Sequence, residues 1–506
     1  MKVRLLYRDS DFDLNAPPLP GSDALVQDLG LAALFSAMSR GDAFLSEVGR
    51  QVTLVGTTDI DTIRYRQDVL RDCLERRPVV EEMYNLASGA IEAERKDIFG
   101  SLARTPSSVL FRSNSLLGSL AVVLSNMRSI ADEHLAGFRS EGFKTLLEMI
   151  RRELSDEYLA RIHEHLRRLG LPGGMLISAH LGEGDKGAGY VLREQPEPVG
   201  GLMALFSRPK TQSYSFRIAE QDEAGARALE ELRTRGLSLV AAALGESTEH
   251  VLSFLKTLQM ELAFYLGCAH LHDLLSNRGR PVCFPEPAGP QECRLWATGL
   301  YDVGLAIDTA NGIVANDLCA DAKDLVFITG ANQGGKSTFL RAIGVAQLMM
   351  QCGMFAPAES FRANVSARIF THFKRPEDPT MKSGKFDEEL LRMSSIVDRL
   401  VPSSMILFNE SFAATNELEG SEIAEQIVSA LLERGIKVLF VTHQFELACR
   451  FSKRKLSTAL FLRADRRPDG TRTFKMIEGA PEKTGHGVDL YEQIFGCPTS
   501  KSGHEA

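Results

Sequence analysis

Apolar positions three and four apart open the patterned part of the chain: Leu25, Leu29, Ala32 and Phe35 follow Ser22 at the period of a helix with one buried face. Ahead of them, residues 11–20 hold Pro17, Pro18 and Pro20, and residues 1–20 read as an extended N-terminal segment. Helical spacing then dominates to about Gly170. Its clearest stretch is Leu147, Ile150, Leu154, Tyr158, Ile162 and Leu166, stopped by Pro172-Gly173-Gly174. Residues 175–181 and 190–192 look β-like around a glycine-rich turn at 182–187. Helical spacing returns near Glu220 and runs to about Leu275, with a break predicted around Gly245. Residues 285–290, three prolines in six positions, read as a linker.

Past that linker the texture changes. Short apolar runs at 325–329, 405–408, 438–441 and 458–462 alternate with helical patterns, as in an α/β domain with a largely parallel sheet. Residues 458–464 and 471–477 around Pro468-Asp469-Gly470 predict a closing hairpin. The expected architecture is therefore multidomain: an all-α region with a small β insert at 21–284, a linker at 285–290, an α/β domain at 291–497 and a tail at 498–506. A chain of 506 residues has room for such a division.

Composition narrows the setting. With 58 Lys and Arg against 66 Asp and Glu, the net charge of −8 excludes a protein coated in positive charge, though not a local basic face. No apolar run approaches 18 residues, so no membrane span is expected. The first residues turn acidic at Asp9 before a signal-peptide core can form. Eight cysteines without a Cys-x-x-Cys pair read as reduced thiols in a cytoplasmic protein.

The chemistry lies in the C-terminal half. Gly330-Ala331-Asn332-Gln333-Gly334-Gly335-Lys336-Ser337 fits the phosphate-loop pattern, fed by a buried strand and left by a helix. Glycines let backbone N–H groups close around phosphate oxygens. Lys336 supplies a point charge to the outer phosphates, and the Ser337 hydroxyl ligates magnesium. A later strand ends in Asn409-Glu410, where such sites usually carry Asp-Glu. Asn409 can support the metal through water but brings no charge. Glu410 is the candidate that orients the attacking water. A third strand ends in Thr442-His443, which places His443 to sense the γ-phosphate.

These residues resemble the MutS mismatch-repair family. Thr329 to Thr338 is similar to its phosphate loop, differing at Ala331 and Gln333; Phe355-Ala356-Pro357-Ala358 resembles its Val-Pro-Ala segment. Asn409-Glu410, Thr415-Asn416 and Glu419-Gly420 keep its spacing, and residues 441–447 resemble its Thr-His-x-Phe-Glu-Leu switch. Thr58 to Gln67 resembles, more faintly, the helix that packs an Arg-Gln pair against the nucleotide domain. The resemblance implies an ABC-type ATPase using ATP and Mg²⁺, with nucleotides sandwiched between the two subunits of a homodimer. Gly330, Asn332, Gly334, Gly335, Lys336, Ser337 and Thr338 would hold the nucleotide. Ser383 is the candidate that reaches the partner's nucleotide. Ser337 and Asn409 would serve the metal, and Lys336, Glu410 and His443 the hydrolysis. Residues 1–22 leave no room for the family's N-terminal mismatch-reading domain with its Phe-x-Glu wedge, so single-mismatch recognition is not expected of this sequence.

Two stretches escape the acidic average. Residues 101–131 hold Arg104, Arg112 and Arg128; residues 198–219 hold Arg208, Lys210 and Arg217 among Phe206, Tyr214 and Phe216. Arg208, Lys210 and Arg217 are the candidate DNA contacts, sequence-independent and salt-sensitive. The expected function is an ATP-gated clamp on duplex or branched DNA, in mismatch repair or related repair and recombination. The alternative is a nucleotide-gated scaffold that hydrolyses poorly because Asn409 stands where Asp is usual.

Overall fold

The structure, a computed structural model, describes residues 1–16, 21–98, 105–171, 174–185, 187–194, 214–215, 217–219, 221–309, 312–331, 333–375, 384–467 and 471–481. The chain is multidomain, with two compact units: Met1–Arg4 with Pro78–Leu262, and Leu5–Arg77 with Ala263–Ala506.

The first unit is helix-rich. The helix Pro106–His134 starts where Thr105 accepts the Ser108 N–H, with proline in the first turn where its missing donor costs nothing. The helices Glu141–Glu153 and Asp156–Leu169 are capped by Ser140 and Ser155. Leu176–Leu181 and Gly187–Arg193 pair antiparallel, in line with the β-like reading of that stretch. Leu110, Leu237 and Ala241 form a small core that Leu171, Met175 and Leu192 pack against.

Three features of the helical part of the chain depart from expectation. The helix Glu223–Asn277 runs 55 residues through Gly245 without a break. One internal glycine costs a helix about 1 kcal/mol, which the surrounding apolar contacts outweigh. Arg128 is not available to a phosphate: its guanidinium donates to the Arg151 and Leu154 carbonyls at 2.8 and 3.0 Å and pairs with Asp132 at 2.7 Å. The segment Pro106–Gly137 is long and apolar enough to qualify as a membrane span by length and composition. Its leucines and valines are diluted mainly by serine, which lowers hydropathy little. Leu116, Leu120, Leu124 and Met127 on it are buried in the protein.

The second unit carries a six-stranded sheet. Its strands are β1 (Leu325–Thr329), β2 (Ile369–Phe373), β3 (Met405–Asn409), β4 (Lys437–Val441), β5 (Ala459–Arg466) and β6 (Arg472–Glu478). The order is β6-β5-β1-β4-β3-β2, parallel except for β6, which returns antiparallel beside β5. β1, β2 and β4 are buried along their whole length, hence the apolar runs of β1 and β4; β2 buries the polar Thr371 and His372 as well. Helices from Lys336, Lys385, Glu417 and Phe445 cross between strands. Phe327, Phe408 and Phe440 stack through the core.

Residues 285–290, expected as a linker, contain the strand Glu286–Ala288. It pairs with Ser360–Asn364 in a second sheet completed by Leu295–Leu300 and Asn316–Cys319. Arg66 and Gln67 are buried in this unit. Arg66 Nε donates to the Leu6 carbonyl at 2.8 Å and its guanidinium lies over Tyr7; Gln67 donates to the Pro285 carbonyl at 2.9 Å. The seven described cysteines are free thiols.

Candidate functional site

Parallel strands deliver their C-terminal ends to one edge of a sheet, so the polar residues that follow β1, β3 and β4 converge. The loop after β1 turns at Gly330 (φ +113°) and Gly335 (φ +88°), a left-handed conformation that glycine adopts without strain. A Cβ on Gly334 would stand 2.8 Å from the Ala464 Cβ, so only glycine lets the loop lie this close to β5. The helix Lys336–Gln351 begins here with no side chain capping it, and its first N–H groups have no intrahelical acceptor.

Lys336 is buried, and its Nζ donates to the carbonyls of Gly330 and Ala331 at 2.9 and 3.0 Å. Burial pushes its amine down, against the opposing pull of Glu410. Ser337 Oγ donates to Asn409 Oδ1 at 2.8 Å, across from the helix to the end of β3. Glu410 meets His443 at the end of β4: the His443 N–H donates to Glu410 Oε2 at 3.2 Å, and Nδ1 contacts the same oxygen. The Glu410 hydrogen bond holds the His443 imidazole above its ordinary range. Burial pushes the Glu410 carboxyl up, but His443 and then Lys336 outweigh it, and the net shift is downward.

Lys336, Ser337 and Glu410 border a cavity of about 520 Å³ whose lining also includes residues 333–335 and 338–339, Tyr301, Leu305, Val314 and Phe474. Thr338 is half-buried in that lining. The residues suit a magnesium-bound polyphosphate. A buried ammonium held by two carbonyls calls for an anion, and the paired oxygens of Ser337 and Asn409 suit a hard cation.

The structure thus gathers Gly330, Gly334, Gly335, Lys336, Ser337, Thr338, Asn409, Glu410 and His443. Asn332, Ser383, Arg208 and Lys210 lie outside the described residues, and Arg217 is exposed. Sequence reasoning missed the apolar wall of Tyr301, Leu305, Val314 and Phe474, which comes from separate segments and leaves no motif. It also missed Asp302, which takes the Leu305 N–H at 2.9 Å and pairs with Arg341 at 3.0 Å beside the cavity. Arg472 donates to Gln333 at 2.8 Å, tying β6 to the loop.

Residues 58–278 match the model of the MutS2 N-terminal domain, and residues 326–500 match that of MutS domain V. The chain is 36% identical over 140 residues to the DNA mismatch repair protein MutS of Desulforamulus reducens, an alignment covering 27% of this chain and 16% of that protein. To the DNA mismatch repair protein MutS of Thermus aquaticus it is 32% identical over 196 residues, 39% of this chain and 22% of the relative. To MutS protein homolog 4 of Mus musculus it is 30% identical over 244 residues, 46% and 24% respectively. The matched parts span a quarter or less of these relatives' length. Matched by MutS models on both its helical and its phosphate-loop portions, the chain belongs to the MutS family.

Proposed function

We propose that the protein is a DNA-binding ATPase of mismatch repair or a related repair process. In this reading two copies close over ATP and magnesium, grip duplex or branched DNA and reopen after hydrolysis. The observation that carries it is the convergence of Lys336, Ser337 and Glu410 on one cavity, with Asn409 bonded to Ser337 and His443 to Glu410 behind them. The names of the relatives support DNA mismatch repair as the setting.

In this reading the loop N–H groups and Lys336 cradle the phosphates, and Ser337 and Asn409 hold the magnesium. Magnesium held by Ser337 and Asn409 would supply positive charge beside the transferring phosphoryl group. Glu410, kept ionised by His443, accepts a hydrogen bond from the attacking water and aims it. His443 donates toward the γ-phosphate once its contact with Glu410 loosens. Replacing Lys336 by Ala should abolish steady-state ATP hydrolysis. Retention of the wild-type rate would remove the phosphate loop from the mechanism.

A second reading rests on the Ser337–Asn409 contact. An amide oxygen offers the metal no charge, so the protein would act as a nucleotide-gated scaffold with weak hydrolysis. Asn409→Asp should then lower the magnesium concentration needed for half-maximal nucleotide binding. An unchanged requirement would set this reading aside.

A further inference from the structure

We propose that His372 is a positioning residue for Glu410, acting through Ser411. The proposal rests on the ATPase reading above. Glu410 (φ +55°) and Phe412 (φ +59°) both adopt the left-handed conformation that side-chain-bearing residues avoid. Two such residues flanking Ser411 persist only where the surroundings hold them there. Three contacts do so. Ser411 is fully buried, and its hydroxyl donates to the His372 carbonyl while lying 2.8 Å from His372 Nδ1. Gln444 donates to the Phe412 carbonyl at 3.2 Å. A Cβ on Gly420 would stand 2.3 Å from the same carbonyl, so the helix Glu417–Glu433 is pressed against this turn.

His372 is the hub of the arrangement. It is fully buried on β2, next to β3, with its ring stacked on Phe412 at a centroid distance of 5.2 Å. Its Nε2 lies 3.0 Å from the Glu389 carbonyl on the helix Lys385–Val397. A carbonyl only accepts, so Nε2 carries the proton and Nδ1 is an acceptor, the one Ser411 proton being shared between Nδ1 and the His372 carbonyl. A neutral ring meets both demands, consistent with the burial that pushes this histidine down to about 4. Glu389 itself is 4% exposed, and its carboxylate faces the Phe412 backbone without closing a hydrogen bond. Through His372, the position of that helix is transmitted to the turn that aims Glu410.

The test separates the two ring nitrogens. Asparagine at 372 presents an oxygen near Nδ1 and keeps the Ser411 contact. Glutamine presents an N–H near Nε2 and keeps only the contact to Glu389. Ser411→Ala and His372→Gln should each lower kcat for Mg-ATP hydrolysis about tenfold with KM unchanged. His372→Asn should stay within about threefold of wild type. Thermal melts identify any variant that has lost its fold, and the remaining variants then decide the outcome. Unchanged kcat in Ser411→Ala, or an equal loss in the Asn and Gln variants, overturns the proposal alone. A wild-type chain that hydrolyses no ATP overturns the ATPase reading and this inference with it.

Discussion

Proton uptake by a single buried imidazole sets one measurable property of this protein. His372 is held down to about 4 by burial and then by Arg392 and Arg375, against the two backbone contacts that raise it. The unfolded residue takes its proton near the ordinary value of 6.5. Acid therefore favours the unfolded chain across that window. The stability this group contributes is complete above pH 6.5 and falls toward pH 4, by up to about 3 kcal/mol. Urea midpoints at pH 7, 6 and 5 should show the slope, and His372→Gln should flatten it; an equal slope in the variant would assign it elsewhere. At this scale the sequence was informative where residues act within a motif. Lys336 and Ser337 stood in the loop-to-helix turn after one apolar run, and Asn409, Glu410 and His443 at the ends of two others. His372 and Ser411 carried no such mark, because their partnership is made by β2 lying beside β3, and sheet order is not written in any one strand.

Among the elements, local propensity and packing can be weighed directly. Gly245 sits inside the helix Glu223–Asn277, and nothing lies within 4 Å of the Cβ it lacks. Gly245→Ala should stabilise the protein by about 0.5–1 kcal/mol, read from the urea midpoint. Gly353 is the opposite case. It has φ +81° at the end of the helix that leaves the phosphate loop, and a Cβ there would stand 2.3 Å from the Cβ of the buried Arg66. Gly353→Ala should destabilise by roughly 2 kcal/mol or more, since neither the conformation nor the neighbour can give way. A neutral result would show that Arg66 is loosely held. The central strands β1, β3 and β4 were legible to within a few residues because they are buried and read as nearly unbroken apolar runs, whereas β2, interrupted by Thr371 and His372, left no such run. The strand Glu286–Ala288 was not. The prolines in and around it signal a loop, and only its pairing with Ser360–Asn364 makes it a strand.

For the molecule as a whole, the −8 net charge leaves DNA binding to local basic stretches. If the DNA reading holds, binding should be sequence-independent and weaken steeply with salt, each phosphate contact adding about 0.9 to the slope of log K against log salt. Affinity for duplex DNA that is flat between about 50 and 200 mM salt would contradict it. The division into units was only partly legible. Residues 5–77 read as part of the helical region, yet they group with the α/β unit; only the resemblance of the Arg66-Gln67 helix, and no helical period, pointed to that packing. The most direct test of the central claim is the Mg-ATP hydrolysis rate of Glu410→Gln beside its nucleotide affinity. Hydrolysis should fall at least about 100-fold while ATP binding persists, because the cradle of Lys336 and Ser337 is untouched. Wild-type turnover in that variant would contradict the assignment of Glu410 and the ATPase mechanism built on it.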